Sequence, residues 1–350
     1  MNRKNIGTTI VTLALTLTSI SVQAQLRDST VNIVAYWTPG DQYSYLCKTD
    51  KYKVGNDGDT TYTSRQSETR TIEVLSQTKD SYMLKISYSD FWSSDPSETE
   101  MMHAIIKECG PMNVMLRTSE LGVPEEITNL PELVKYNEAG LKPMMDIMKK
   151  DGDIKGSLQK KMLKFLKAKY CNPQTTLATV NDDIGKFFFA HGIQLDTAET
   201  YTFEDKCAPL LAGQDSLNAM TSLWVDAAMT DEYSAVIRTF TEIPSEELKD
   251  LVASIASTFA GAIANVNDNK INALKDSLTT GLKPISMTCE QYTTEEIHLD
   301  SGWPLKYYYD KVVTVIVPGE NGEDDKTSQT CESRSMEIIL PDESASSVKD

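Results

Sequence analysis

The chain is 350 residues long and carries 34 lysines and arginines against 51 aspartates and glutamates, a formal net charge of −17. A body of that sign argues against nucleic acid as a partner, because phosphate binding needs clustered Lys and Arg. Its six cysteines never fall in a CxxC pair, which argues against a zinc knuckle.

Arg3 and Lys4 open the chain with positive charge, Ile10 to Val22 is mostly apolar, and Val22-Gln23-Ala24 has the small-residue pattern of a cleavage site. Residues 1–24 are therefore expected to be a signal peptide. Thr12, Thr16, Thr18 and Ser19 dilute the stretch below what a membrane span needs. The first cysteine is Cys47, far from the cut, so no lipid anchor is expected. The expected product starts at Gln25, has lost Arg3 and Lys4 and so carries −19, and works in the periplasm or outside the cell. Cys47, Cys109, Cys171, Cys207, Cys289 and Cys331 are then candidate disulfide partners. Six cysteines allow fifteen pairings, and buried free thiols are the alternative.

The first third reads as strands: Val31 to Trp37, Gln42 to Val54, Tyr62 to Leu75 and Tyr82 to Phe91. Gly55-Asn56-Asp57-Gly58-Asp59 and Thr78-Lys79-Asp80-Ser81 provide turns between them. Met101 to Cys109 is assigned to a strand, followed by strands at Val114 to Thr118 and Glu125 to Leu130. Glu120-Leu121-Gly122-Val123-Pro124 returns near the other end as Asp300-Ser301-Gly302-Trp303-Pro304, a weak internal echo of acidic, variable, Gly, bulky, Pro. Residues 131–192 change to a helical period. Leu133, Val134, Leu141, Met144, Met145 and Met148 mark one helix. Leu158, Met162, Phe165 and Leu166 mark a second, closed by Cys171-Asn172-Pro173, and Ile184 to Ala190 reads as a third.

Strands resume at Thr200 to Cys207, Met220 to Ala228 and Tyr233 to Thr241. Ser245 caps a helix striped by Leu248, Leu251, Val252, Ile255 and Phe259. The apolar run Leu251 to Ala264 has the length of a buried helix rather than of a membrane span. Three strands finish the chain: Ile285 to His298, Lys306 to Val317 and Gln329 to Leu340, with 341–350 as a frayed tail. The expected architecture is α+β: one domain over 25–340, a large curved antiparallel sheet with helices on one face and a helical insertion in mid-chain.

Tyr-rich hairpins, a Gly-x-Pro turn between strands and a helical insertion give a layout that resembles the curved half-barrels of periplasmic lipoprotein-carrier proteins. It also resembles secreted proteins of the Bacteroidota, whose mature chains often begin at a Gln after Ala, as Gln25 does here. The resemblance covers most of the chain in layout. The aromatic strands and Met-rich helices, adaptable linings for a pocket, point to an apolar or lipid-like ligand beneath the helices. This chain is longer than a carrier and has six cysteines, and no functional residue is carried over.

Catalytic signatures are missing: there is no GxGxxG, Walker, HExxH or GxSxG pattern. His103, His191 and His298 are remote from one another and read as ordinary hydrogen-bonded residues. The pairs Asp182-Asp183, Glu246-Glu247, Glu295-Glu296 and Asp324-Asp325 read as solvated surface, because neighbours on a strand point to opposite faces. Asn56-Asp57-Gly58-Asp59 and Asp151-Gly152-Asp153 offer calcium-type oxygens without a complete loop. No cofactor or metal is implied.

One segment departs from the acidic background. Nine lysines against Asp146, Asp151 and Asp153 give residues 142–169 a charge of +6. With its apolar stripe this is a basic amphipathic helix, and Lys155, Lys160, Lys161, Lys164 and Lys167 are candidate contacts to an anionic membrane surface or an envelope partner. The alternative is a helix packed on the sheet with its lysines outward, which the pattern favours because surface-seeking helices usually carry Trp or more Phe. The expected function is a non-enzymatic binding protein for an apolar or lipid-like ligand. The rivals are an envelope interaction protein docking through the basic helix, and a hydrolase with a dispersed site.

Overall fold

A computed structural model describes residues 26–27, 29–150, 163–164, 166–168, 170–207, 217–231, 233–253, 277, 280–282, 284–319 and 324–340. The signal segment, the tail, and Lys155, Lys160 and Lys161 lie outside these residues, as do Asp151 to Asp153 and the helical stripe beyond residue 253.

The protein is α+β, built on one large curved antiparallel sheet. In chain order its strands are β3 (Gln42–Val54), β4 (Thr60–Gln77), β5 (Ser81–Ser93), β6 (Asn113–Ser119) and β7 (Pro124–Ile127). The second half supplies β9 (Thr200–Cys207), β10 (Leu217–Ala227), β11 (Ser234–Ile243), β12 (Ser286–His298), β13 (Pro304–Val317) and β14 (Lys326–Ile338). The order β7-β6-β5-β4-β3-β14-β13-β12-β11-β10-β9 is a meander in each half, closed by a seam where β3 pairs with β14. Sequence-remote strands thus meet in the middle of the sheet, and β7 and β9 are left as edges. Cys207 at the end of β9 accepts a hydrogen bond from the Gln291 amide on β12 at 3.8 Å, although two strands separate them. The second half is therefore tightly curled.

Alternation sets the faces. In β10 the buried positions are Leu217, Ala219, Thr221, Leu223 and Val225, every second residue, with more exposed residues between them. The same period turns Ile72 and Val74 of β4, and Leu84 and Ile86 of β5, onto the inner face. The Gly55 to Asp59 segment is a tight turn: Asp59 donates its amide to the Asp57 carboxylate, and Gly58 has φ 83°.

Helices accompany the sheet. Met101 to Cys109, expected as a strand, is instead part of α1 (Pro96–Cys109). Its start is dictated locally: the Asp95 side chain accepts the Ser97 amide, and Pro96 takes the first turn, where its missing N–H is harmless. α2 (Leu130–Lys150) follows β7, so the strand expected to reach Leu130 ends at Ile127. α3 (Pro173–Phe187) begins eleven residues before the expected Ile184, because Asn172-Pro173 opens this helix and does not merely close the previous one. The described residues between 163 and 170 are helical, and Leu166 packs with Leu141 and Met145 of α2. Residues 245–253 are helical as expected, with Leu248 and Leu251 against Met287 and Cys289 of β12.

The segment expected as a strand from Val31 to Trp37 is only briefly one. β2 (Thr30–Asn32) pairs with β1 (Leu26–Arg27) and with β8 (Gln194–Asp196), a short strand not anticipated from the sequence. Beyond Asn32 the chain is gripped by three turns. Ile33 exchanges hydrogen bonds with Gly192 and Ile193, Ala35 donates to the Leu121 carbonyl at 3.1 Å, and Tyr36 donates to the Ser301 carbonyl at 3.0 Å. The two echoed motifs are therefore two clamps on consecutive residues of one segment. Each needs its glycine. Gly302 has φ 70°, and a Cβ there would sit 2.2 Å from the Val34 carbonyl oxygen; at Gly122, with φ 89°, it would meet the His191 ring at 2.6 Å.

Candidate functional site

The clamped segment delivers Trp37 to the inner face, where the largest aromatic cluster forms. Trp37 stacks on Trp303 at 4.7 Å and touches Tyr82, Phe188 and His191, while Tyr43 tilts against Trp303 at 5.0 Å. α3 closes the cluster from above: Ile184 and Phe187 are buried, and Phe187 meets Tyr45 edge-on at 4.9 Å. Such contacts contribute about 0.5–1.5 kcal/mol each beyond the area they bury.

Beside this wall runs a row of residues read directly from the strand register. Glu295 on β12 faces Tyr307 on β13, Tyr307 faces Met336 on β14, and Met336 faces Cys47 on β3. Tyr45, two residues before Cys47, shares that face. Glu295 and Tyr45 are fully buried and Tyr307 is 2% exposed. Neither carboxyl oxygen of Glu295 nor either tyrosine hydroxyl has a hydrogen-bond partner. Buried polar groups are ordinarily satisfied, so three such groups on one face require an explanation. Burial pushes the Glu295 carboxyl well above its ordinary value; the nearby Ala190 amide works the other way without satisfying it. Burial likewise pushes the Tyr45 and Tyr307 hydroxyls up, and Glu295 adds to both shifts, which places it within electrostatic reach of both rings.

Between α3 and the β3–β14 seam lies a small crevice, open to solvent, with room for about one water molecule. Its floor includes Cys47, Met336 and Tyr307, and its rim carries four cations, Lys48, Arg70, Lys186 and Arg334, with Asp183. Three of the cations are engaged. Arg70 holds Asp183 of α3 at 2.6 Å and Glu68 at 2.7 Å. Lys186 holds Asp182 at 2.6 Å and lies over the Tyr309 ring, while Arg334 donates to Glu332 at 2.6 Å. Burial alone would depress the Arg70 pKa, but Asp183, Tyr88, Cys47 and Glu68 more than offset it and hold the guanidinium charged. Burial pushes the Cys47 thiol up to about 12, so it is protonated and a poor nucleophile.

The structure brings together only part of what the sequence singled out. All six cysteines are free thiols here, and no disulfide joins them. Cys47 and Cys331 lie on opposite faces, since alternation from Met336, which faces Cys47, puts Cys331 on the other side of β14. Cys207 and Cys289 share one apolar cluster. Cys109 ends α1, and Cys171 packs against the Leu141, Met145 and Leu166 cluster. Lys164 and Lys167 are exposed, while Leu166 of the same stretch is turned into the protein.

His103 is exposed on α1, whereas His191 and His298 both serve the Trp303 turn. His191 bonds through Nε2 to the Gly302 carbonyl at 2.8 Å, and burial pulls its pKa down to about 4, so the neutral imidazole is the donor. His298 Nδ1 pairs with the Ser301 hydroxyl at 2.9 Å, and that oxygen also accepts the Trp303 amide. The Glu295-Glu296 pair, expected at the surface, is split as a strand must split it. Glu296 accepts from Ser234 and pairs with Lys306, but Glu295 points inward. The signal was present: Met287, Cys289, Glu295 and Ile297 share one parity in β12, and apolar ends at that spacing place Glu295 inside.

Among the described residues no group of three His, Cys, Asp or Glu is placed to hold a metal ion, and no helix is long and apolar enough to cross a membrane. No family model and no curated protein matches the chain. Solved structures with some likeness include lipovitellin, titled for its lipid–protein interactions, at 9% identity and TM-score 0.36 over 86% of this chain. This chain spans about a quarter (26%) of lipovitellin's length. Two outer-membrane proteins, OmpT of Vibrio cholerae and a COG4313 channel of Pseudomonas putida, match at 7% identity with TM-scores of 0.17 and 0.16. They cover 85% and 87% of this chain, and it spans 100% and 98% of theirs. Likeness at these scores carries no functional argument.

Proposed function

We propose that the protein is a non-enzymatic binding protein, acting in the periplasm or outside the cell, that takes an apolar or lipid-like ligand between α3 and the β3–β14 seam. One observation supports this above others: Cys47, Tyr307 and Met336, which floor the crevice under α3, belong to the same apolar cluster as the Trp37–Trp303 wall. Binding sites for small molecules combine apolar and aromatic side chains with a few polar groups, and a ligand enters this one by displacing α3, because the closed crevice has room for about one water. α3 is held over the crevice by the Arg70–Asp183 ion pair at its edge as well as by apolar contact, which suits a cover that admits a ligand.

Native mass spectrometry of protein purified from its own host tests the reading. The expected result is a complex whose extra mass is released on unfolding as an apolar or amphiphilic molecule. A bare polypeptide mass, together with unchanged tryptophan fluorescence on titration with ten-carbon amphiphiles, would overturn it. The rival reading, an envelope protein docking through the basic helix, draws on exposed Lys164 and Lys167. It predicts that Lys164→Glu with Lys167→Glu releases the protein from the envelope fraction.

A further inference from the structure

We propose that Cys207 and Cys289 are a redox pair, which a disulfide donor oxidises to a cross-link that fastens the edge strand β9 to β12. The pair stands apart from the ligand crevice and does not depend on it.

Three observations converge. The first is need. In β9, Thr200 to Lys206 are all exposed and Cys207 alone is not. The strand pairs with β10 on one side and, among the described residues, with nothing on the other. Little burial holds it in place, and an open edge invites pairing with other chains.

The second is place. In a flat sheet three strand spacings, about 14 Å, would separate β9 from β12. The curl removes that distance: the Gln291 amide of β12 donates to Cys207 at 3.8 Å. Cys289 lies two residues before Gln291, so strand alternation puts it on the face that Cys207 meets. Both cysteines belong to the cluster of Leu217, Ile243 and Met287, and no other two of the six share one. Cys207 is the last residue of an edge strand, so closing the bond asks for movement only at a strand end.

The third is chemistry. Tyr309 donates its hydroxyl to the Gln291 carbonyl oxygen at 3.0 Å, which turns the amide N–H groups toward the thiols. Lys311 stands opposite Gln291 in the β12–β13 register. Burial pushes both thiols up, and Asp205 and the Cys289 sulfur add to this at Cys207, as Glu290 does at Cys289. Lys311 and Gln291 work against that push at both sulfurs. A cation and a donor amide beside the pair favour the thiolate, the form that attacks a disulfide.

Cys207, the more exposed of the two, reacts first. Its thiolate attacks the donor RSSR, a Cys207–S–S–R bond forms, and RSH leaves with the Cys207 proton. The Cys289 thiolate then attacks the Cys207 sulfur, the bond to R breaks, and a second RSH leaves with the Cys289 proton. Two thiols lose two electrons and two protons, and the donor becomes two thiols.

The test treats the reduced mature chain with oxidised glutathione, alkylates the remaining thiols in urea, and maps the peptides by mass spectrometry without reductant. The expected result is one linked pair of peptides carrying Cys207 and Cys289. Hydrogen exchange in β9 should then be about tenfold slower than in the reduced protein. Cys289→Ala should trap Cys207 as a stable mixed disulfide with glutathione, and Lys311→Met should slow closure severalfold. If both cysteines are still alkylated, if glutathione stays on Cys207 of the unaltered protein, or if Cys207 links to a different cysteine, the pairing is refuted. A linked pair with unchanged exchange in β9 refutes the fastening role. Should Cys289→Ala fail to fold, Cys207→Ala replaces it at the strand end: Cys289 should then remain a thiol under the same treatment, and its appearance in another bridge overturns the proposal.

Discussion

Replacing Glu295 by glutamine should stabilise the empty protein at neutral pH, by an amount that grows with pH. Burial raises the folded-state pKa of this carboxyl above its ordinary value of 4.5. Above pH 4.5 the native state therefore holds a proton that the unfolded state has released, and stability falls as pH rises, until the folded pKa is reached. Each pH unit over which the native state keeps that proton costs about 1.4 kcal/mol. A glutamine side chain has nearly the same shape and no proton to hold; any hydrogen bond it leaves unmade is a constant offset. Urea unfolding at pH 5, 6 and 7, followed by tryptophan fluorescence, should show the variant gaining on the wild type as pH rises, by at most about 1.4 kcal/mol per unit. A difference independent of pH would mean that Glu295 is ionised in the empty fold and already has a counter-charge. That result would refute the burial argument.

His191 gives a slope of the opposite sign: with a folded pKa of about 4 against 6.5, it contributes stability above pH 6.5 that is lost as pH falls to 4, about 3 kcal/mol in all. Above pH 4.5 the two slopes oppose each other, so Glu295→Gln should unmask acid sensitivity and His191→Gln should unmask the reverse, both visible in urea midpoints. Gly302→Ala should lower stability by more than about 2 kcal/mol by calorimetry, combining a positive-φ penalty with a collision against the Val34 carbonyl. Asp183→Asn should cost about 2 kcal/mol, below the usual loss for a buried pair because its carboxylate is about a quarter exposed (27%), and it should speed proteolysis near α3. In native protein Cys47 should resist a thiol reagent that labels Cys109, and should react only on unfolding, as peptide mapping of the labelled chain would show.

The strands were legible because their cause is local. In β12 and β13, apolar and polar residues alternate strictly enough that the sequence boundaries and the observed ones differ by one or two residues. α1 was misread because its apolar spacing is weak; the information lay in the Asp95-Pro96 cap, outside the window in which periodicity was judged. The site was hidden for a different reason. Glu295 and Tyr45 are 250 positions apart, and they share a neighbourhood only because β3 and β14 form the seam and the sheet curls. No local pattern announces that pairing. What the sequence did hold was the echo of Gly122 and Gly302, which looked like two similar hairpins and is two grips on one segment. By fixing Ala35 and Tyr36, those grips set Trp37 against Trp303, and that stacked pair is the wall beside which the unsatisfied carboxyl lies. A substitution in either clamp should therefore alter ligand affinity as well as stability, although neither clamp glycine lines the crevice.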